Sequence, residues 1–134
     1  MSQVIIFTND SGGVSVCVPT GELPIQQVLA KDCPAGAVIV NAASLPSNEF
    51  FNAWEQTDGV VTVNLTKAKN IVHDIRRAKR AAEFAPWDIK ATIPSEAVAA
   101  EAARQAIRDR YAAIQTDIDS ASGVPELSLI VQSL

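Results

Sequence analysis

The chain is poor in the residues that most often carry chemistry. Among 134 residues there is one histidine, His73, and there are two cysteines, Cys17 and Cys33. A metal site needs several ligands at set spacing, and neither a Cys pair of zinc type nor a second histidine accompanies His73. Asp74 is next to it in sequence, but neighbours on a helix point in different directions, so the two form no ready acid–base pair. No catalytic residue and no metal ligand is therefore assigned, and no cofactor is expected. Aromatic residues make up only 5% of the chain, so the core must be built mainly from Val, Ile, Leu and Ala. No apolar run approaches the ~20 residues that span a bilayer. The opening MSQVIIFTNDSGG has neither a basic n-region nor a long apolar core, so no signal peptide is expected. Two cysteines do not make a disulfide scaffold; reduced, partly buried thiols are expected, with a disulfide as the alternative.

Apolar content of 48% and charged content of 19% are those of an ordinary folded domain. The net charge of −4 is unevenly distributed. Residues 1–65 carry one lysine against six acids, while residues 66–134 carry ten basic and nine acidic groups. Different electrostatic faces suit docking between protein subunits. They are a weak basis for nucleic-acid binding.

The pattern along the chain predicts an α+β fold in two parts. Residues 1–65 read as a small β-rich lobe of about four strands with short helices. Val4–Phe7 and Val14–Val18 flank the turn Asn9-Asp10-Ser11-Gly12-Gly13, which predicts a hairpin. Leu23–Lys31 reads as a short helix with Pro24 in its first turn. Ala37–Val40 gives a third strand, and Ser47 is placed to cap a single helical turn carrying Phe50, Phe51 and Trp54. Asp58-Gly59 marks a turn before a fourth strand over Val60–Val63.

Residues 66–134 read as an antiparallel helical hairpin with a short terminal helix. The first long helix opens at Asn64 or Thr66, and Ala68, Ile71, Val72, Ile75, Ala78 and Ala82 form its apolar stripe. Pro86 is expected to break it, with Trp87 and Ile89 packed under an elbow and Pro94 in the first turn of the second helix. In that second helix Ala100, Ala103, Ile107, Tyr111, Ile114 and Ile118 form one seam. Ala99, Ala102, Ala106 and Ala113 form another, which predicts a second neighbour. Gly123 closes the region.

Lys69, His73, Arg76 and Arg80 recur at i, i+4, i+7 and i+11, so they line one face of the first long helix. Two readings stay open at this point. One is a partner-binding or anion-binding stripe; the other is a solvated face paired with Asp74, Glu83 or acids of the second helix. Trp54 and Trp87 are further candidates, because aromatic anchors dominate interface energy when exposed, although core positions are the alternative. Ser11-Gly12-Gly13 lacks the Lys-Ser/Thr of a phosphate loop and reads as a turn.

One resemblance covers nearly the whole chain. VTVNLTKAKNIVHDIRRAKRAAEFAPWD, the following IP, AEAARQAIRDRYAAIQTDIDSAS and a final P-E-L resemble a group of small proteins of tailed bacteriophages, encoded among tail and tail-fibre genes. VIIFTNDSGGVSVCVPTGE, KDCPAGA and SLPSNEFFNAWE resemble their β-rich front half. The resemblance implies a non-enzymatic structural protein of the virion, part of the tail tip, baseplate or tail-fibre attachment. Its partners would be other tail or fibre proteins in an oligomeric assembly, with no membrane and no small-molecule substrate. It would be synthesised in the host cytoplasm and located in the tail. The alternatives are a fibre-assembly chaperone absent from the mature particle, or a small nucleic-acid-binding regulator using the basic helix 67–80.

Overall fold

A computed structural model describes residues 2–134. The fold is α+β, with small sheets followed by helices that include a packed pair. The chain divides into two compact units, one ending at Lys67 and one running from Ala68 to Leu134.

The first unit contains five strands: β1 (Gln3–Thr8), β2 (Val14–Cys17), β3 (Val38–Asn41), β4 (Trp54–Thr57) and β5 (Val60–Val63). Strands β2, β1 and β3 form one sheet in that order, with both outer strands antiparallel to β1. β2 and β3 therefore run parallel on either side of β1. The helix between them in sequence, α1 (Ile25–Asp32), is the crossover of a split β-α-β unit and packs on β1 and β3.

The β1–β2 turn is organised by Asn9. Its Oδ1 accepts from the backbone N–H groups of Ser11 and Gly13, both at 3.1 Å, and from the Ser11 hydroxyl at 2.6 Å. β4 and β5 pair antiparallel through a two-residue turn in which Asp58 has φ 51° and Gly59 φ 85°. Both values lie in the left-handed region, which explains the Asp-Gly dipeptide.

Alternation on β1 separates two layers. Val4 and Ile6 join Val14 and Trp54 in a buried cluster, with Val16, Val38, Val40, Val61 and Val63 packed around it. Gly59 lies so close to Val38 and Val40 that an added Cβ would touch both, at 3.4 and 3.5 Å. The β4–β5 hairpin therefore covers that face of the three-stranded sheet. Ile5 points the other way and is fully buried on the α1 side. Both faces of β1 are covered, so a four-residue apolar run serves where strict alternation would not.

Strand β4 is an addition to the four strands expected. Trp-Glu-Gln-Thr is mostly polar, but Gln56 donates to Thr8 Oγ1 at 2.9 Å and accepts from the Gly59 N–H at 3.1 Å. Ser47 does cap a 3-10 stretch, Asn48–Ala53, by accepting from the Glu49 N–H.

Helix α2 (Leu65–Lys90) is capped by Asn64, whose Oδ1 accepts from the Lys67 N–H at 3.0 Å. Asn64 also donates to Glu55 at 2.8 Å, and that hydrogen bond, followed by the Lys67 charge, holds the Glu55 carboxyl below its usual range. α3 (Ala97–Ser120) and α4 (Val124–Ser133) complete the second unit. Cross-links joining Asp119 to His73, Arg110 to Glu83 and Arg104 to Asp88 show that α2 and α3 run antiparallel.

Several expectations need correction. Pro86 does not end α2; the helix continues through it to Lys90. Ala82, whose carbonyl Pro86 leaves without its helical donor, is exposed, so water can reach that end of the turn. An Asp88–Arg104 ion pair at 3.0 Å ties down the last turn. The elbow is correspondingly short. Pro94 precedes the start of α3 at Ala97, and Ile89 is 68% exposed and not packed beneath the turn. Gly123 opens α4, while α3 already stops at Ser120.

The main seam of α3 is as expected, with Ala100, Ile107, Tyr111 and Ile118 buried and Ala103 and Ile114 half-buried. α3 does have a second neighbour besides α2, the terminal helix α4, but the alanine seam at Ala99, Ala102, Ala106 and Ala113 is exposed. On α2, Ala68 and Val72 are buried and Ile71 and Ile75 half-buried, but Ala78 and Ala82 are exposed. The buried face continues through His73 and Arg76 instead.

Candidate interaction surface

The basic stripe of α2 does not behave as one surface. His73 and Arg76 are only 9% and 7% exposed. His73 Nε2 lies 2.8 Å from Asp119 Oδ1, and Arg76 Nε donates to His73 Nδ1 at 3.2 Å. A guanidinium N–H can only donate. The Nδ1 atom must therefore carry its lone pair, which puts the ring proton on Nε2, where it donates to Asp119. The result is a chain from Arg76 through His73 to Asp119.

Lys69 joins the same acceptor residue by donating from Nζ to the Asp119 carbonyl at 3.0 Å. That carbonyl belongs to the last turn of α3, where backbone acceptors lack helical donors and a cation is favoured. Burial pushes the Arg76 guanidinium down from its usual value, as do the charges of Arg77 and Arg80, while Asp119 opposes the shift. Long aliphatic stems let Lys and Arg occupy such half-apolar positions.

Arg80 stands apart from this chain. Its guanidinium lies over the Phe84 ring, 4.6 Å from the centroid. Farther along α2, Lys90 lies over Trp87 at 4.6 Å, and Trp87 is half-buried. Trp54 belongs to the first unit, where it is 3% exposed and its ring is 4.8 Å from that of Phe51. Its indole N–H is shielded without a hydrogen-bond partner. Of the five candidates in the second unit, the structure brings together Lys69, His73 and Arg76 and leaves Arg80 and Trp87 outside that chain; Trp54 lies in the first unit.

A second polar group holds the middle of the hairpin. Glu83 accepts from Arg110 and lies beside Tyr111. The Tyr111 hydroxyl, and then Arg110, hold the Glu83 carboxyl below its usual range. No regular hydrogen bond forms at Glu83 Oε2, which is nonetheless shielded, so the tyrosine acts on the carboxylate without ideal geometry. Burial first, and then Glu83, push the Tyr111 phenol up. These groups border a cleft of about 530 Å³ together with Lys79, Ile114 and Leu134. Within the cleft Arg110 and Glu83 are paired with each other.

The other distinct feature is apolar. Around the α2–α3 turn, Ile89 is 68% exposed, Ile93 40% and Val98 86%. The turn itself is tightly wound, with Thr92 donating to Ile89, Ile93 to Lys90 and Glu96 to Ile93 through the backbone. These side chains are therefore held on an ordered segment. Scattered apolar residues are normal on surfaces, and three on one short ordered segment make it the candidate contact surface. Sequence reasoning missed Ile93 and Val98. The elbow reading covers Trp87 and Ile89 alone, and the available signal was Ile93 and Val98 on either side of Pro94.

Among the described residues, no group of three or more His, Cys, Asp or Glu side chains could hold a metal ion. No helix among them is long and apolar enough to cross a membrane. Compared with protein-family models, curated proteins and solved structures, the chain finds no match in any of the three.

Proposed function

We propose that this chain is a non-enzymatic structural subunit of a bacteriophage tail, in the tip, baseplate or fibre attachment, and that it works through protein–protein contacts. The observation that carries the contact role is the apolar end of the helical hairpin, where Ile89, Ile93 and Val98 are exposed beside the half-buried Trp87. Such a surface seats against a neighbouring tail protein, and Trp87 supplies the aromatic group that interface centres favour. The tail context rests on the sequence segments resembling small tailed-phage proteins.

The polar chains described above support the same reading. Arg76, His73, Asp119 and Lys69 are engaged with one another, and Glu83 with Arg110, which fixes the relation of α2 to α3. A hairpin held in one geometry loses little conformational freedom when it docks. The test is a mass-spectrometric inventory of purified particles from the phage encoding this chain. Stoichiometric presence with the tail proteins is expected. Presence in infected-cell lysate but absence from particles would replace this proposal with an assembly chaperone.

A further inference from the structure

The two cysteines are brought to the same layer of the first unit. Cys17 is the last residue of β2 and pairs across the sheet with Ile5. Directly opposed residues point to the same face of a sheet. Ile5 faces α1, opposite to Val4 and Ile6, so Cys17 also faces the α1 layer. Cys33 is the residue that ends α1. The crossover topology lays that helix over this face, so the end of β2 and the end of α1 supply two thiols to one layer. Both cysteines are half-buried and both are free thiols.

We propose that Cys17 and Cys33 form an intramolecular disulfide when the folded protein meets a low-molecular-weight disulfide oxidant, and that this bond ties α1 to the edge strand β2. The Cys33 thiol is pushed up by burial first, and then by Cys17, which agrees with the two side chains sharing one layer. Thiol–disulfide exchange supplies the chemistry. One cysteine thiolate attacks a sulfur of oxidised glutathione, forming a mixed disulfide and expelling one glutathione thiolate. The second cysteine, losing its proton, attacks the protein sulfur of that mixed disulfide and expels the second glutathione. Two protein thiols are oxidised to one disulfide, and one oxidised glutathione is reduced to two glutathione thiols that take up the two protons. Helix α1 packs on β1 and β3, and Cys17 lies on the same face of the neighbouring edge strand β2, so the bond would form within one layer of the folded unit.

The test uses the full chain in non-denaturing buffer with excess oxidised glutathione, followed by intact mass and peptide mapping. The expected result is a monomer lighter by two hydrogens, with the Cys17 and Cys33 peptides linked and both thiols lost to alkylation. The urea midpoint of the oxidised protein should rise, and a reductant should reverse it. The variants C17S and C33S should each stop at the stable glutathione adduct. A wild-type chain that retains one or two glutathiones, forms a disulfide-linked dimer or remains fully alkylatable would overturn the proposal.

Discussion

Arg76 and Arg80 are one turn apart on α2, and both belonged to the basic stripe seen in the sequence, yet their substitution should have very different consequences. Arg76 is 7% exposed and donates to His73 Nδ1 at 3.2 Å. In R76E a carboxylate replaces that donor. It faces the His73 lone pair and lies near the Asp119 carboxylate, so it is buried without a cation and adds like-charge repulsion. Breaking a buried charged contact in this way costs roughly 3 kcal/mol or more. Arg80 is half-buried with its guanidinium over the Phe84 ring, and a contact of that kind contributes about 0.5–1 kcal/mol. R80E should therefore lose about 1 kcal/mol or less. Urea unfolding followed by helical circular dichroism separates the two. At a slope of about 1.5 kcal/mol per molar urea, R76E should lower the midpoint by about 2 M and R80E by less than about 0.7 M. If R76E unfolds at the wild-type midpoint, the Arg76–His73–Asp119 chain does not hold the hairpin, and the burial of Arg76 has been misread.

Other outcomes follow from the same geometry. P86A restores an amide donor to the Ala82 carbonyl inside α2 and should stabilise the protein by about 1–3 kcal/mol; an unchanged or lower melting temperature would mean the proline sits where no helical bond is possible. The Glu83 carboxyl is held low by Tyr111 and Arg110 in the folded state, so its contribution is complete above the ordinary glutamate range and is lost as pH falls through the lowered folded value. Stability measured across acid pH should therefore fall less steeply in E83Q than in wild type over that window, and identical slopes would remove Glu83 from the account. I107D places a charge at a site 5% exposed on α3 and should abolish the cooperative helical transition, which a calorimetric scan would detect; a native-like transition would show that the seam faces water.

Much of the backbone was legible because its signals are local. Asn9 through Gly13 and Asp58-Gly59 specify their turns by side-chain hydrogen bonding and by positive φ, and Asn64 starts α2 through a bond to a residue three positions on. The α3 seam was legible because its spacing repeats with the helix. The interior of α2 was less so. His73 and Arg76 look like surface residues until Asp119, 46 residues away, is brought beside them. Periodicity shows which residues share a face but does not show which face a distant carboxylate will meet. Pro86 misled for a related reason. A proline weighs about 3 kcal/mol against helix, while the Asp88–Arg104 pair that holds the turn beyond it is a tertiary contact. Trp54–Thr57 has little strand pattern of its own and becomes a strand by pairing with Val60–Val63.

The most direct measurement is the amount of this chain in purified particles when the hairpin end is altered. The double variant I93D/V98D changes two side chains that are 40% and 86% exposed, so the isolated protein should keep its circular dichroism and melting temperature. Quantified against the other tail proteins, the wild-type chain should be present at fixed stoichiometry and the variant strongly depleted. A folded variant incorporated at the wild-type level would contradict the claim that this chain works through the apolar end of its helical hairpin.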